Sequence, residues 1–112
     1  MKYDHIEVPA DGAAITAHAD HSLTVPDNPI IPYIVGDGIG VDVTPVMLNV
    51  TEAAVEMAYG DKRHLRWMRV HAGQRAAEIY GDDQYLPDET LDVLKRFVVS
   101  IKGPLQTPTG GG

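Results

Sequence analysis

Ile30-Ile31-Pro32-Tyr33-Ile34-Val35-Gly36-Asp37-Gly38-Ile39-Gly40-Val41-Asp42-Val43-Thr44-Pro45 reads as a buried strand, a glycine-rich turn and the opening of a helix. The first six residues have the length and continuous hydrophobicity of a strand covered on both faces. Pro32 is its irregularity, because proline donates no ladder hydrogen bond and prefers an edge or a strand's first residues. Past the glycines, Asp42 or Thr44 can cap a helix and Pro45 can take a first-turn position. Met47, Leu48, Thr51, Ala54, Val55 and Ala58 then recur at three- and four-residue intervals, forming one apolar stripe, and Gly60 supplies the stop.

Working outward, residues 6–9 and 22–25 are β-capable pieces around the Asp11-Gly12 turn and the alternating Ile15-Thr16-Ala17-His18 segment, and predict an irregular N-terminal hairpin. On the other side, Leu65-Arg66-Trp67-Met68-Arg69-Val70 has the character of a second strand, and residues 73–80 form a short helical segment closed by Gly81. Pro87-Asp88-Glu89-Thr90 opens another helix, with Leu91 and Leu94 inward and Lys95-Arg96 near its end, a charge order that suits the helix dipole. Phe97-Val98-Val99-Ser100-Ile101 predicts a third strand, which leads into Lys102-Gly103-Pro104-Leu105-Gln106-Thr107-Pro108-Thr109. The order β, α, β, short α, α, β implies an α/β fold with a parallel sheet and right-handed crossovers. Three parallel strands are too few to be self-sufficient, so apolar surface should stay exposed unless more chain or a partner covers it.

Composition narrows the function classes. The 112 residues are 44 % apolar, as in ordinary globular domains, and carry nine Lys and Arg against sixteen Asp and Glu, a formal charge of −7. Such a balance gives no electrostatic support to nucleic-acid binding. Cysteine is absent, which removes disulfides and thiolate metal sites. No apolar run is long enough for a membrane span, and the N-terminus lacks the apolar core of a signal peptide, so a cytoplasmic location is the expectation.

Ligands of open α/β sheets gather beyond the carboxyl ends of the strands. Two segments qualify. In Gly36-Asp37-Gly38-Ile39-Gly40 the third glycine comes one residue too early for a dinucleotide fingerprint, with Val41 in the required place, so a structural turn competes with a phosphate cradle. In residues 102–109 an ammonium and a hydroxyl stand at a strand end between two prolines, which suits either an anionic ligand or a plain rigid connection. His18-Ala19-Asp20-His21 has metal-ligand chemistry but reads better as a solvated turn, while His5, His64 and His71 have no ligand spacing. Met47, Met57 and Met68 read as core fillers or surface residues.

Three blocks, Asn28-Pro29-Ile30-Ile31-Pro32-Tyr33-Ile34, the run from Gly36 to Pro45, and Ile101-Lys102-Gly103-Pro104-Leu105 with Thr107-Pro108, resemble the bacterial NADP-dependent isocitrate dehydrogenases of the isocitrate/isopropylmalate dehydrogenase family. Leu86-Pro87 and Glu89-Thr90-Leu91-Asp92 fall between them in the same order. The resemblance implies a fold distinct from the Rossmann type, with residues 1–112 forming the N-terminal part of the large domain: a hairpin followed by a βαβαβ portion. It implies a homodimeric enzyme of the tricarboxylic acid cycle and glyoxylate bypass that oxidises D-threo-isocitrate with NADP and decarboxylates the product to 2-oxoglutarate, assisted by magnesium or manganese.

By the same resemblance Lys102 and Thr107 are substrate-binding, and Ile39, Leu105, Gln106 and Thr107 lie against the cofactor. Gln106 stands where the family usually has Thr, Val35 where Glu is common, and Thr109 where an apolar residue is usual. The catalytic tyrosine and lysine, the metal-binding aspartates and the arginine clamps correspond to sequence after Gly112 in the family. These 112 residues alone are therefore expected to be inactive and to contain neither a catalytic nor a metal-binding residue. A relative acting on isopropylmalate or homoisocitrate, and a non-catalytic module pairing with a full-length subunit, are the rival readings.

Overall fold

Residues 30–34 do become a strand, and it lies at the centre of the sheet. A computed structural model describes residues 2–106 of the chain. The elements are β1 (Thr16–Ala17), β2 (Leu23–Thr24), β3 (Ile30–Ile34), α1 (Gly40–Tyr59), a 3-10 turn (Gly60–Lys62), β4 (Arg66–Val70), α2 (Gln74–Tyr80), α3 (Asp88–Phe97) and β5 (Ile101–Lys102). The main sheet has the order β4-β3-β5 with both pairings parallel, as the alternation of strands and helices predicts.

Pro32 sits third in this central strand, neither at an edge nor at the start, and hydrogen-bond direction explains how. Pro29 O accepts from Arg66 N on the β4 side, whereas Ile30 N donates to Ala13 O and Gly103 N donates to Ile34 O on the other. Strand alternation groups Pro32 with Ile30 and Ile34. Its missing donor thus faces the flank where β5 pairs only with Tyr33 and Ile34 and leaves Pro32 without a partner.

Register fixes the two faces of the sheet. Ile30, Pro32 and Ile34 pair with Arg66, Met68 and Val70, and residues so paired share a face. On that face Ile30, Ile34, Met68 and Val70 join Ile6, Ala72, Val93 and Phe97 in one core, so α3 and the N-terminal segment cover it. Each of the larger side chains buried there stabilises the fold by about 1.5–3 kcal/mol. The opposite face presents Ile31 and Tyr33 beside Trp67 and Arg69, and α1 is tied to it by Trp67 Nε1 donating to Glu52 Oε1 at 2.8 Å.

Several boundaries differ from the sequence reading. The hairpin pairs Thr16–Ala17 with Leu23–Thr24 and leaves residues 6–9 out, because Ile6 is needed in the core. Its turn is closed by His18 N donating to Ser22 O and by Asp20 Oδ1 accepting from the Ser22 amide and hydroxyl. Neither Asp42 nor Thr44 caps α1: Ile39 occupies the cap, and Thr44 Oγ1 instead donates to Val35 O at 2.7 Å, stitching the helix to the strand before it. Pro45 consequently lies inside the helix, although Gly60 ends it as expected.

The third strand shrinks to Ile101–Lys102. Phe97 is the last residue of α3, and Val98, at φ 72°, makes a γ-turn in which Val99 N donates to Phe97 O at 2.8 Å. That turn uses up two residues the sequence assigned to the strand. On α3 the buried positions are Thr90, Val93 and Phe97, with Leu94 half-buried, while Leu91 is exposed.

Candidate functional site

All three parallel strands deliver their following loops to one end of the sheet, where the segments after β3, β4 and β5 touch. Gly36 leaves β3 at φ 91°, and a Cβ there would stand 2.3 Å from Pro104 O, so only glycine lets the first and third loops meet. Asp37 N then donates to Pro104 O at 2.7 Å, and Gly40 N to Asp37 O at 2.8 Å. The Asp37 side chain, 6 % exposed, turns inward, and its Oδ2 accepts from Gln74 N and from Gln106 N, both at 3.2 Å. Gly73, at φ 78°, opens the room for it: a Cβ there would come within 2.4 Å of Oδ2.

This arrangement favours the structural reading of the glycine-rich turn. The amides of Asp37, Gly40, Val41 and Asp42 all donate to carbonyls of the turn or of Pro104. With these four amides spent internally, the turn has few left for a pyrophosphate, which favours a structural turn that presents side chains.

Of the residues singled out from sequence, three come together. Ile39 caps α1 with 68 % of its surface exposed, Leu105 is 40 % exposed and approaches Gly73, and the Gln106 side chain lies against Gly38. Gln106 therefore meets the loop after β3 and Leu105 the loop after β4, while Ile39, next to Gly38, stands open. Lys102, in register with Ile34, is exposed, and its Nζ donates to Gly103 O at 3.0 Å. Thr107 lies outside the described residues.

The sequence reading missed Asp37 as an individual, quoting it only inside the glycine motif. Its signal was an acid between two glycines directly after a buried strand, where water is scarce and a carboxylate needs donors. Beside it a hollow of about 370 Å³ is lined by Gly36, Gly38, Val41, Arg69, Gln74 and Arg75. Arg75 pairs with Glu78 at 3.2 Å. His71, nearby, has its pKa lowered by burial first and by the Arg69 guanidinium second, so it is held neutral near pH 7.

No group of three His, Asp or Glu residues able to hold a metal ion occurs among the described residues. His18 Nε2 is bonded to Thr24 Oγ1 at 2.6 Å and Asp20 to Ser22, so the side chains of His18 and Asp20 are engaged in the hairpin. No helix among the described residues is long and apolar enough to cross a membrane.

The family model for isocitrate/isopropylmalate dehydrogenase matches residues 30–112. The isocitrate dehydrogenase [NADP] of Pseudomonas aeruginosa (strain UCBPP-PA14) is 59 % identical over 112 residues, which is 100 % of this chain and 27 % of that protein. That of Coxiella burnetii is 56 % identical over the same span, 26 % of its length. The chain thus spans about a quarter of the length of the curated relatives it matches. Among solved structures, isocitrate dehydrogenase from Methylococcus capsulatus superposes with a TM-score of 0.62 at 37 % identity, covering 74 % of this chain and 22 % of that one. The architecture is accordingly a portion of that fold and not a Rossmann unit, and the chain belongs to the isocitrate/isopropylmalate dehydrogenase family.

Proposed function

We propose that this chain is the N-terminal part of the large domain of an NADP-dependent isocitrate dehydrogenase, and that the loops beyond β3 and β5 form one wall of its cofactor and substrate cleft. The observation that carries the reading is the meeting of Ile39, Leu105 and Gln106 at the carboxyl ends of parallel strands, in a chain 59 % identical throughout to a protein named for that activity. Exposed apolar side chains suit the flat face of a cofactor ring better than its phosphates. Ile39, Leu105 and Gln106 would accordingly hold the ring end of NADP, and its phosphates would be gripped by other segments of the polypeptide.

When bound, NADP supplies the hydride acceptor. Isocitrate loses a hydride from the carbon bearing its secondary alcohol and a proton from the hydroxyl, and the β-keto acid so formed releases carbon dioxide to give 2-oxoglutarate. The part played by this chain is positioning. The Lys102 ammonium offers charge to the substrate's carboxylates, and Thr107 offers a hydroxyl to substrate and cofactor. A divalent cation, magnesium or manganese, has no ligand set among the described residues and would be held by other segments of the polypeptide. A homodimer working in the cytoplasm, within the tricarboxylic acid cycle, completes the reading.

The test is NADPH formation by a polypeptide of the relatives' length that carries this chain, offered isocitrate, isopropylmalate or homoisocitrate with NADP or NAD and magnesium. Turnover confined to isocitrate and NADP is expected, and none from the 112 residues alone. Preferred turnover of isopropylmalate would move the assignment to the sister activity. Inactivity with all three would leave a non-catalytic subunit.

A further inference from the structure

We propose that Asp37 is a positioning residue for this reaction, whose carboxylate sets the height and spacing of the loops that form the cleft wall; the proposal rests on the function argued above. Sixteen acids are present in the sequence, and Asp37 is the one acid among the buried residues described. Burying a carboxylate is costly, and the cost is offset only where donors converge on the charge.

Here the donors come from two other loops. Gln74 N opens α2 after β4, and Gln106 N belongs to the segment after β5, each 3.2 Å from the same oxygen. The backbone of Asp37 adds its amide's bond to Pro104 O and the bond that its carbonyl accepts from Gly40 N. One residue after β3 thereby ties together the loops of all three strands. Its carboxylate is buried and bonded to backbone amides, so it acts through its neighbours.

The consequence is local. Leu105 and Gln106 lie on a segment that follows two edge-strand residues and contains Pro104, and the bond from Gln106 N is what fixes its far end to the sheet. Losing that anchor shifts the side chains that meet the cofactor, and a displacement of about 1 Å in a positioned group can cost on the order of a hundredfold in rate.

The experiment compares Asp37→Ala, Asp37→Asn and Asp37→Leu with the unsubstituted polypeptide of the relatives' length, by initial rates and by hydrogen exchange at the Gln74 and Gln106 amides. Asparagine retains an acceptor oxygen in the same place, whereas leucine fills the space and accepts nothing. Asp37→Ala and Asp37→Leu are expected to raise KM for NADP by about tenfold or more, with KM for isocitrate changed less, and to lose protection at both amides. Asp37→Asn should recover most of the KM and part of the protection.

If Asp37→Leu keeps the original KM and the amide protection, the carboxylate positions nothing and the proposal falls. If all three variants lose stability equally without any split in KM, the residue is structural only, and the proposal again falls. An unsubstituted protein that protects both amides through Asp37 yet never reduces NADP would remove the function and the positioning role with it, while leaving the hydrogen-bonded knot intact.

Discussion

Glu89 shows how one side chain in a helix's first turn can hold a distant part of the chain. Its Oε1 accepts from Asp4 N at 2.8 Å, and its Oε2 accepts from His5 N at 3.1 Å and from the Tyr80 hydroxyl. Beside it the Tyr3 hydroxyl donates to Asp92 Oδ2 at 2.5 Å. The N-terminal segment that buries Ile6 is thus strapped to α3 by carboxylates. Burial acts to raise the Glu89 pKa, but the bonds from Tyr80, Asp4 and His5 outweigh it and hold the carboxyl below its ordinary value. The sign follows from that depression. The strap's contribution is complete above the ordinary carboxylate value of 4.5 and is lost as pH falls through the lower folded value. Tyr3 gives the alkaline limb: burial and Asp92 push its phenol from 10.0 up to about 12, so its share is complete below 10.0 and is lost as pH rises toward about 12. Urea midpoints measured across pH should fall at both ends in the unsubstituted chain. Glu89→Gln should flatten the acid limb and also soften the alkaline one, because burial and Glu89 hold the Tyr80 phenol up, whereas Tyr3→Phe should soften the alkaline limb only. An unchanged acid limb in Glu89→Gln would assign acid unfolding to other carboxylates.

At the scale of elements, α3 separates what pattern can read from what packing decides. Its charges are legible, with Asp88 and Glu89 in the first turn and Lys95 and Arg96 in the last. Its inward face is legible only in part: of the two leucines read as inward, Leu94 packs against the core but Leu91 is exposed, and the buried positions are Thr90, Val93 and Phe97. The cause is length. The hydrophobic run from Phe97 to Val99 looks like the start of a strand, but α3 extends through Phe97, which adds that ring to the buried face with Thr90 and Val93, and the γ-turn at Val98 takes the next residue. Phe97 is 3 % exposed and Leu91 is 37 % exposed, so truncation distinguishes the two assignments. Phe97→Ala should cost about 3–5 kcal/mol in urea unfolding, and Leu91→Ala less than about 1 kcal/mol. Equal losses would mean that α3 is rotated from the face described.

For the whole molecule, the parallel sheet was readable because strands and helices alternate, and the strand-end loops because glycine and proline punctuate them. The knot that organises those loops was not, since Asp37, Gln74 and Gln106 are far apart in sequence and meet only through register. One feature of α1 lay in plain sequence and becomes meaningful only with burial. Of the stripe read from sequence, Met47, Leu48, Thr51 and Val55 are half-buried and Ala54 and Ala58 exposed, and Val43, Val46, Val50 and Met57 form a second stripe about a third of the circumference away and stand in the open. A helix apolar on two sides is suited to burial between layers, and parallel sheets are normally covered on both faces. The second stripe should therefore be covered in a polypeptide of the relatives' length and wet in the 112-residue chain. Val50→Asp discriminates, because valine and aspartate differ little in intrinsic helix propensity and the cost then reports burial. In the longer polypeptide it should destabilise by about 2–4 kcal/mol and lower the melting temperature by several degrees. In the 112-residue chain the same change should stay within about 0.5 kcal/mol and raise solubility. A small effect in both would mean that the stripe faces water throughout and that α1 is an outer helix of the complete fold.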